Sequence, residues 1–269
     1  MKISGGEVWR ATRTPEGPAT VHFRHSAGEV DVSAWGPGGD WLLDRASQLV
    51  GLDDVPDAFL PRHPLVRDLH RRHPGMRFGA SGAVAEAMVC SVLEQKVRGI
   101  DAWRTYRRLV ERYSEPAPGP EPLMLPPAPS VLAGLGYYDL HPFGVEKRRA
   151  DTILRVAAMA AKLDAAAAME SSDAQRLLTR IPGVGPWTAA EVARVALGDV
   201  DAVSVGDLHL PHLVSWALAG EPRADDARML ELLEPYRGQR GRALRLLELS
   251  GVRAPRRGPR YSPIPIARL

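Results

Sequence analysis

The stretch SDAQRLLTRIPGVGPWTAAEVARVALGDVDAVSVGDLH, residues 172–209, decides how this chain is read. Ser172 and Gln175 stand at the spacing of a capping box, which predicts a short helix there that buries Leu177 and Leu178. Pro182 ends that helix, because the residue before a proline is pushed out of helical geometry. Gly183 and Gly185 flank Val184 in a tight turn, and Pro186 suits the first position of a second helix, so the hairpin occupies 172–197. A glycine turn of this kind offers backbone N–H groups and a helix N-terminus to an anion, a phosphate site that needs no side-chain charge. On the second helix Trp187, Glu191 and Arg194 share one face. Glu191 either pairs with Arg194 as scaffolding or reaches a ligand. Asp207 follows Gly206 in VGDLHL and is placed to cap the helix LHLPHLVSWAL.

Composition narrows the class. A chain of 269 residues can hold two or three small domains, and 45% hydrophobic content in Ala-rich periodic stretches reads as mostly helical. No apolar run approaches the length of a membrane span and the N-terminus has no signal-peptide pattern, so a cytoplasmic protein is expected. Formal charge is +3 and the isoelectric point about 9.2, with the excess mainly from arginine, which is compatible with a polyanionic partner. Cys90 stands alone, which leaves no disulfide within the chain, no four-cysteine zinc site and no four-cysteine iron–sulfur cluster.

Working outward, EVWRATRT, ATVHFRH and GEVDVSAW alternate in the manner of strands and predict a small antiparallel sheet in residues 1–36. From Asp40 the period turns helical, with Trp41, Leu42, Ala46 and Leu49 on one stripe. His63, His70 and His73 match no metal-ligand spacing and read as solvated or phosphate-adjacent. Residues 81–113 form the longest periodic run, divided by Gly99 into two helices. Ala85, Met88, Val89, Val92 and Leu93 would bury the first helix; Trp103, Tyr106, Leu109 and Val110 would bury the second. Cys90 is then a small buried hydrophobe. Residues 114–130 read as a stiff proline-rich connector. Lys147, Arg148 and Arg149 at the start of a helix oppose its dipole, so either a phosphate lies near or the charge is incidental. Residues 251–269 form a basic Pro/Arg-rich tail with arginines at 253, 256, 257 and 260.

IPGVGPWTA (181–189) followed by VSVGDLHL (203–210) resembles the helix-hairpin-helix DNA glycosylases, especially the bacterial DNA-3-methyladenine glycosylase II branch. The resemblance implies a mainly α fold: a two-lobed helical body over 76–250, an N-terminal α+β domain with an antiparallel sheet over 1–75, then the tail. MLELLEPYRGQRGRALRLLELSG (229–251) is similar to the family's last core helix, with Pro235, Tyr236 and Arg237 at its entrance. Asp207 takes the catalytic slot and Trp187 that of an aromatic lining the base pocket, with Glu191, Tyr137 and Tyr138 as further pocket candidates. Gly183, Val184, Gly185 and Thr188 would grip the DNA backbone. LEQKVRG puts Gln95 at the family's glutamine and Lys96 at the position that wedges into the duplex, where relatives carry a leucine. The resemblance also implies a Na⁺ or K⁺ ion on backbone carbonyls of Thr179 and Ile181, while the lone Cys90 argues against an iron–sulfur cluster. Lyase relatives place an attacking lysine where Trp187 stands, yet no lysine follows Lys162. The expectation is therefore a monofunctional, nucleoid-associated monomer that acts on double-stranded DNA and hydrolyses 3-methyladenine- or 7-methylguanine-type bases in base excision repair. A noncatalytic lesion-binding protein and a glycosylase/lyase are the alternatives.

Overall fold

Left-handed turn residues build the N-terminal sheet. In the computed structural model, which describes residues 1–255, β1 (Lys2–Ser4), β2 (Glu7–Thr14), β3 (Gly17–Ser26) and β4 (Glu29–Trp35) form an antiparallel meander in that order. Two of its turns are two-residue hairpins with both central residues at positive φ: Gly5 and Gly6 at 58° and 83°, Ala27 and Gly28 at 51° and 86°. Trp9 pairs with His22 and Val21 with Ala34, so the period of two sends Ala19, Val21 and Phe23 to one face. That face closes on Trp41 and Leu42 of α1 (Gly39–Asp44). On the opposite face Trp9 stacks between His22, 3.9 Å away, and Trp35, 5.3 Å away.

The helices follow as α2 (Ala46–Leu49), α3 (Pro64–Arg72), α4 (Val84–Glu94), α5 (Gly99–Tyr113), α6 (Pro129–Ala133), α7 (Tyr137–Leu140), α8 (Lys147–Ala158) and α9 (Ala160–Asp164). Beyond them come α10 (Ser171–Leu178), α11 (Pro186–Val192), α12 (Leu210–Ala219), α13 (Asp226–Leu233) and α14 (Arg240–Leu249). They gather into two compact units that alternate along the chain. Met1–Leu49 packs with Gly82–Ala167, and Val50–Ser81 packs with residues 168–255. The linear order 1–75 then 76–250 is thus not the order of packing. Residues 50–81 join the second unit because α3 buries Val66 and Leu69 against Leu244 and Leu247 of α14. A buried ion pair between Asp54 and Arg242 adds to this, and Arg242 also donates to the Met76 carbonyl (2.9 Å). Arg256, Arg257 and Arg260 of the expected tail lie outside the described residues.

In the first unit the helical period of α4 is realised, with Met88, Val92 and Leu93 fully buried beside Ile153 and Val156 of α8. Gly99 opens α5. The buried stripe of α5 runs through Ala102 and Leu109, one step off Trp103, so Trp103 is 57% exposed where burial was expected. Cys90 retains some surface, but burial and the nearby Glu86 and Glu94 push its thiol up to about 12. The proline-rich segment folds back on itself, Ala117 N–H bonding Leu123 O at 2.8 Å and Leu125 N–H bonding Glu115 O at 3.0 Å. It lies against the sheet, with Arg13 Nε donating to Pro126 O (2.9 Å) and Pro118 filling the space a side chain on Gly36 would need.

In the second unit Phe59, Val66 and Leu69 form a core with apolar residues of α12, α13 and α14, and Ala190, Ala193 and Ala202 form a smaller cluster. The last helix, expected after an entrance at residues 235–237, is α14, and the residues ahead of that entrance belong to α13. Pro235 and Gly238 (φ 87°) interrupt the helical run, giving a 3₁₀ turn at Glu234–Tyr236 between α13 and α14. The Tyr236 hydroxyl is 2.6 Å from His63 Nδ1 and accepts the His63 backbone N–H at 3.0 Å. His63 is therefore tied down rather than solvated, and burial lowers its pKa. The His70 ring packs on Phe59, 5.3 Å between centroids. Among the described residues no helix is long and apolar enough to cross a membrane, and no cluster of His, Cys, Asp and Glu could hold a metal.

Candidate active site

The expected capping box is not made. Helix α10 begins at Ser171, whose hydroxyl donates to Asp199 Oδ2 (2.5 Å), and Gln175 Nε2 reaches the same oxygen (3.1 Å). These groups serve a distant acidic residue because Asp199 ends the hairpin and needs partners of its own. Beyond α10, Ile181 and Val184 are buried anchors, the Val184 N–H closes on Ile181 O (3.0 Å), and Gly183 takes φ 97°. Gly185 is extended, Pro186 is the first residue of α11, and one π turn (Ala193–Leu197) prolongs it. The side chains of Val184 and Thr188 face inward, Thr188 at 2% exposure, which leaves their backbone groups as what a ligand at the turn could meet. Thr188 lies on the inner face of α11 beside Ala189 and Val192.

Gly206 (φ 93°) turns the chain into Asp207. Asp207 Oδ1 accepts the N–H groups of His209 (2.7 Å) and Leu210 (2.9 Å), so it caps the turn that leads into α12, which starts at Leu210 with His209 at the N-cap position itself. Oδ2 accepts the indole Nε1–H of Trp187 at 3.0 Å. A carboxylate has roughly four lone-pair sites, so these three donors leave a site on Oδ2 for a ligand or water. Asp207 is half-buried, and its neighbour Leu208 is 75% exposed.

The segment before Asp207 is tied down along its length. Asp201 forms a fork with Arg240 Nε (3.0 Å) and accepts its backbone N–H (2.8 Å). Gly241 has no room for a side chain, since a Cβ there would lie 2.8 Å from the carbonyl oxygens of Val200 and Ala202. Ser204, fully enclosed, donates its hydroxyl to Glu191 Oε1 (2.5 Å), and Arg194 donates to Glu191 Oε2 (2.5 Å). The Gly206 N–H is shared by both oxygens of Asp226, at 3.0 and 3.1 Å. Chemically this is a fixed carboxylate beside an aromatic ring and a glycine hairpin. All four lysines of the chain (2, 96, 147, 162) fall in the first unit, so the second contains no nucleophilic lysine.

No family model matches the chain. It is 35% identical over 173 residues to a protein of Mycobacterium tuberculosis described as a probable bifunctional transcriptional activator/DNA repair enzyme AlkA. That match covers 62% of this chain and 34% of the relative, so the chain spans about a third of the relative's length. In structure it is similar to a 3-methyladenine DNA-glycosylase from Archaeoglobus fulgidus, with a TM-score of 0.75 at 20% identity over 93% of this chain and 90% of that one. It also resembles an 8-oxoguanine glycosylase/lyase of Clostridium acetobutylicum solved with double-stranded DNA (TM-score 0.69, 14% identity, 89% and 85% covered). The chain thus has the fold of these DNA glycosylases, and in sequence it is similar to a relative named for DNA repair.

Of the residues matched to the superfamily, the second unit brings together Asp207, Trp187, Glu191 and the hairpin. Gln95, Lys96, Tyr137 and Tyr138 belong to the first unit. There Lys96 is exposed at φ 57°, a left-handed turn between α4 and α5 that costs a non-glycine residue about 1 kcal/mol or more. Arg149 donates to Leu93 O (2.9 Å) at the end of α4 and to Gly144 O (3.1 Å). Its guanidinium is buried on these two carbonyls; Lys147 pairs with Asp151 (2.8 Å). Tyr138 is 84% exposed, whereas the Tyr137 hydroxyl is taken by His141 Nδ1 (2.9 Å). A cavity of about 50 Å³ in the first unit, lined by Glu86, Tyr106 and Asp164 among others, includes none of the matched residues. Ser204 and Asp226 were invisible to sequence reasoning, since neither stands at a spacing that signals a hydrogen bond.

Proposed function

We propose that the chain is a monofunctional DNA glycosylase that hydrolyses the N-glycosidic bond of alkylated purines, of the 3-methyladenine and 7-methylguanine type, in double-stranded DNA. The observation supporting this best is the Asp207 carboxylate, held by two cap N–H groups and the Trp187 indole with a lone pair left over. Loss of a base leaves an oxocarbenium-like sugar, positively charged in the transition state. A carboxylate about 3.5 Å away at an effective dielectric near 20 contributes on the order of 4–5 kcal/mol. That is about three powers of ten in rate. Alkylation makes the purine cationic and a good leaving group, so little acid catalysis is needed. The base must first leave the stack, for which the Trp187 ring offers a face. Water, rather than an amine, is the nucleophile this unit can accommodate.

The Pro182–Gly185 turn is the proposed DNA-gripping element, acting through its backbone. The neutral carbonyl oxygens of Thr179 and Ile181 are the hard donors an alkali cation takes, and the Ile181 oxygen keeps a second lone pair after bonding Val184 N–H. A Na⁺ or K⁺ held there would supply positive charge toward phosphate. Such a protein would work as a monomer in the cytoplasm, with the nucleoid. The clostridial neighbour favours a glycosylase/lyase as the second reading; the absence of lysine from the hairpin unit weighs against it. The test is the mass profile of bases released from methylated duplex DNA, with strand integrity followed in parallel. The expected result is 3-methyladenine and 7-methylguanine released faster than neutral hypoxanthine, with abasic strands left uncut. Silence on every substrate would overturn the reading.

A further inference from the structure

We propose that Glu191 is a positioning residue for Asp207, acting through Ser204; this rests on the reading of Asp207 as the group beside the sugar. A carboxylate only 16% exposed on a helix face requires partners. Arg194, three residues on, satisfies its charge through Oε2. Its other oxygen reaches thirteen residues along the chain to the enclosed Ser204 hydroxyl. The carbonyl of that same Ser204 accepts the Asp207 N–H at 3.3 Å. Side chain and main chain of one residue therefore link α11 to the backbone of Asp207. One turn earlier on the same helix, Trp187 binds Oδ2 of Asp207. Helix α11 holds Asp207 at its backbone and at its carboxylate, from positions i+4 and i.

Gly206, immediately before Asp207, supplies the need for such ties. At φ 93° and without a side chain it leaves the carboxylate free to swing, unless the segment is held on both sides. Asp226 holds the Gly206 N–H from α13, and Ser204 is held by Glu191. With both oxygens committed, Glu191 is not presented to a base or a water. Its charge is answered by Arg194, which leaves geometry as what it contributes.

Glu191→Ala, Ser204→Ala and their double variant test this on single-turnover release of 7-methylguanine from methylated DNA. Each single change is expected to lower kcat about 10- to 100-fold, the scale of an ångström of misplacement at a reacting centre. KM for DNA should stay within about twofold, since the loss falls on the transition state. The double variant should be no worse than the more damaging single, and Glu191→Gln, which can still accept the Ser204 hydroxyl, should recover most of the loss. Additive losses, or loss of kcat only in step with thermal stability, would overturn the proposal. Amide hydrogen exchange at residues 203–208 provides a readout independent of activity. It should rise in Glu191→Ala and not in Glu191→Gln, and unchanged exchange in both overturns the positioning role. A wild type that releases no base would instead overturn the functional reading, while the exchange result still decides the positioning.

Discussion

Trp187 has two features, a ring face and an indole N–H, and only the first could be anticipated. An aromatic residue at the head of a hairpin helix reads as a pocket wall, but a bond to a carboxylate twenty positions away has no sequence signature. Trp187→Phe keeps the face and removes the donor. A lost hydrogen bond to a charged group predicts about a tenfold or somewhat larger fall in kcat, with little change in melting temperature because Asp207 keeps its cap. Steady-state rates and a thermal melt of the purified variant check this; wild-type rates would mean the indole bond does not serve the reaction. Asp207 itself was legible because Gly-Asp before an apolar helix is a cap signal with a mechanism. Glu191 was legible only as half of a pair with Arg194, since the helix spacing fixed that partner and said nothing of Ser204.

Elements were readable where one period held over a long run. The N-terminal strands and the α4–α5 break at Gly99 follow from the pattern of residues 1–113. In residues 229–251 the apolar period runs on while Pro235 and Gly238 break the backbone, so the proline rather than the period marks where α14 is entered. The start of α4 shows another tertiary effect. Its Ala85 N–H is accepted by Asp164 Oδ1 (2.9 Å) at the end of α9, and burial, reinforced by Glu86, raises the Asp164 pKa. The native chain thus holds that proton to higher pH than the unfolded chain does. Its contribution to stability is present below the unfolded carboxylate value of about 4 and is lost as pH rises through the raised native value. Asp164→Asn keeps an acceptor for Ala85 and removes the charge. Melts from pH 4 to 7 should show a smaller decline with pH in the variant, and at pH 7 a melting temperature equal to or above wild type. A variant matching wild type at pH 4 but less stable at pH 7 would contradict this.

At the scale of the molecule, composition and the hairpin signature were enough to anticipate the glycosylase fold, while the interleaving of the two units was not legible. Residues 50–81 return to the second unit through α3 packing on α14 and through Asp54 with Arg242, contacts whose partners lie well over a hundred residues away. Lysines and hairpin divide between the units, which turns a count of residues into a statement about chemistry: the unit holding Asp207 has a carboxylate to offer and no lysine amine. Asp207→Asn is the sharpest probe of that chemistry. An asparagine can keep both cap bonds through its oxygen, but its amide faces the indole N–H, and Trp187→Phe measures that share of the loss separately. Single-turnover release of 7-methylguanine by Asp207→Asn, beside its affinity for DNA bearing an abasic site, tests the role of the carboxylate most directly. The expected result is a loss of about three powers of ten in rate with affinity within about threefold of wild type. Release within about tenfold of wild type would contradict it, because neither the charge nor its placement could then be what breaks the bond.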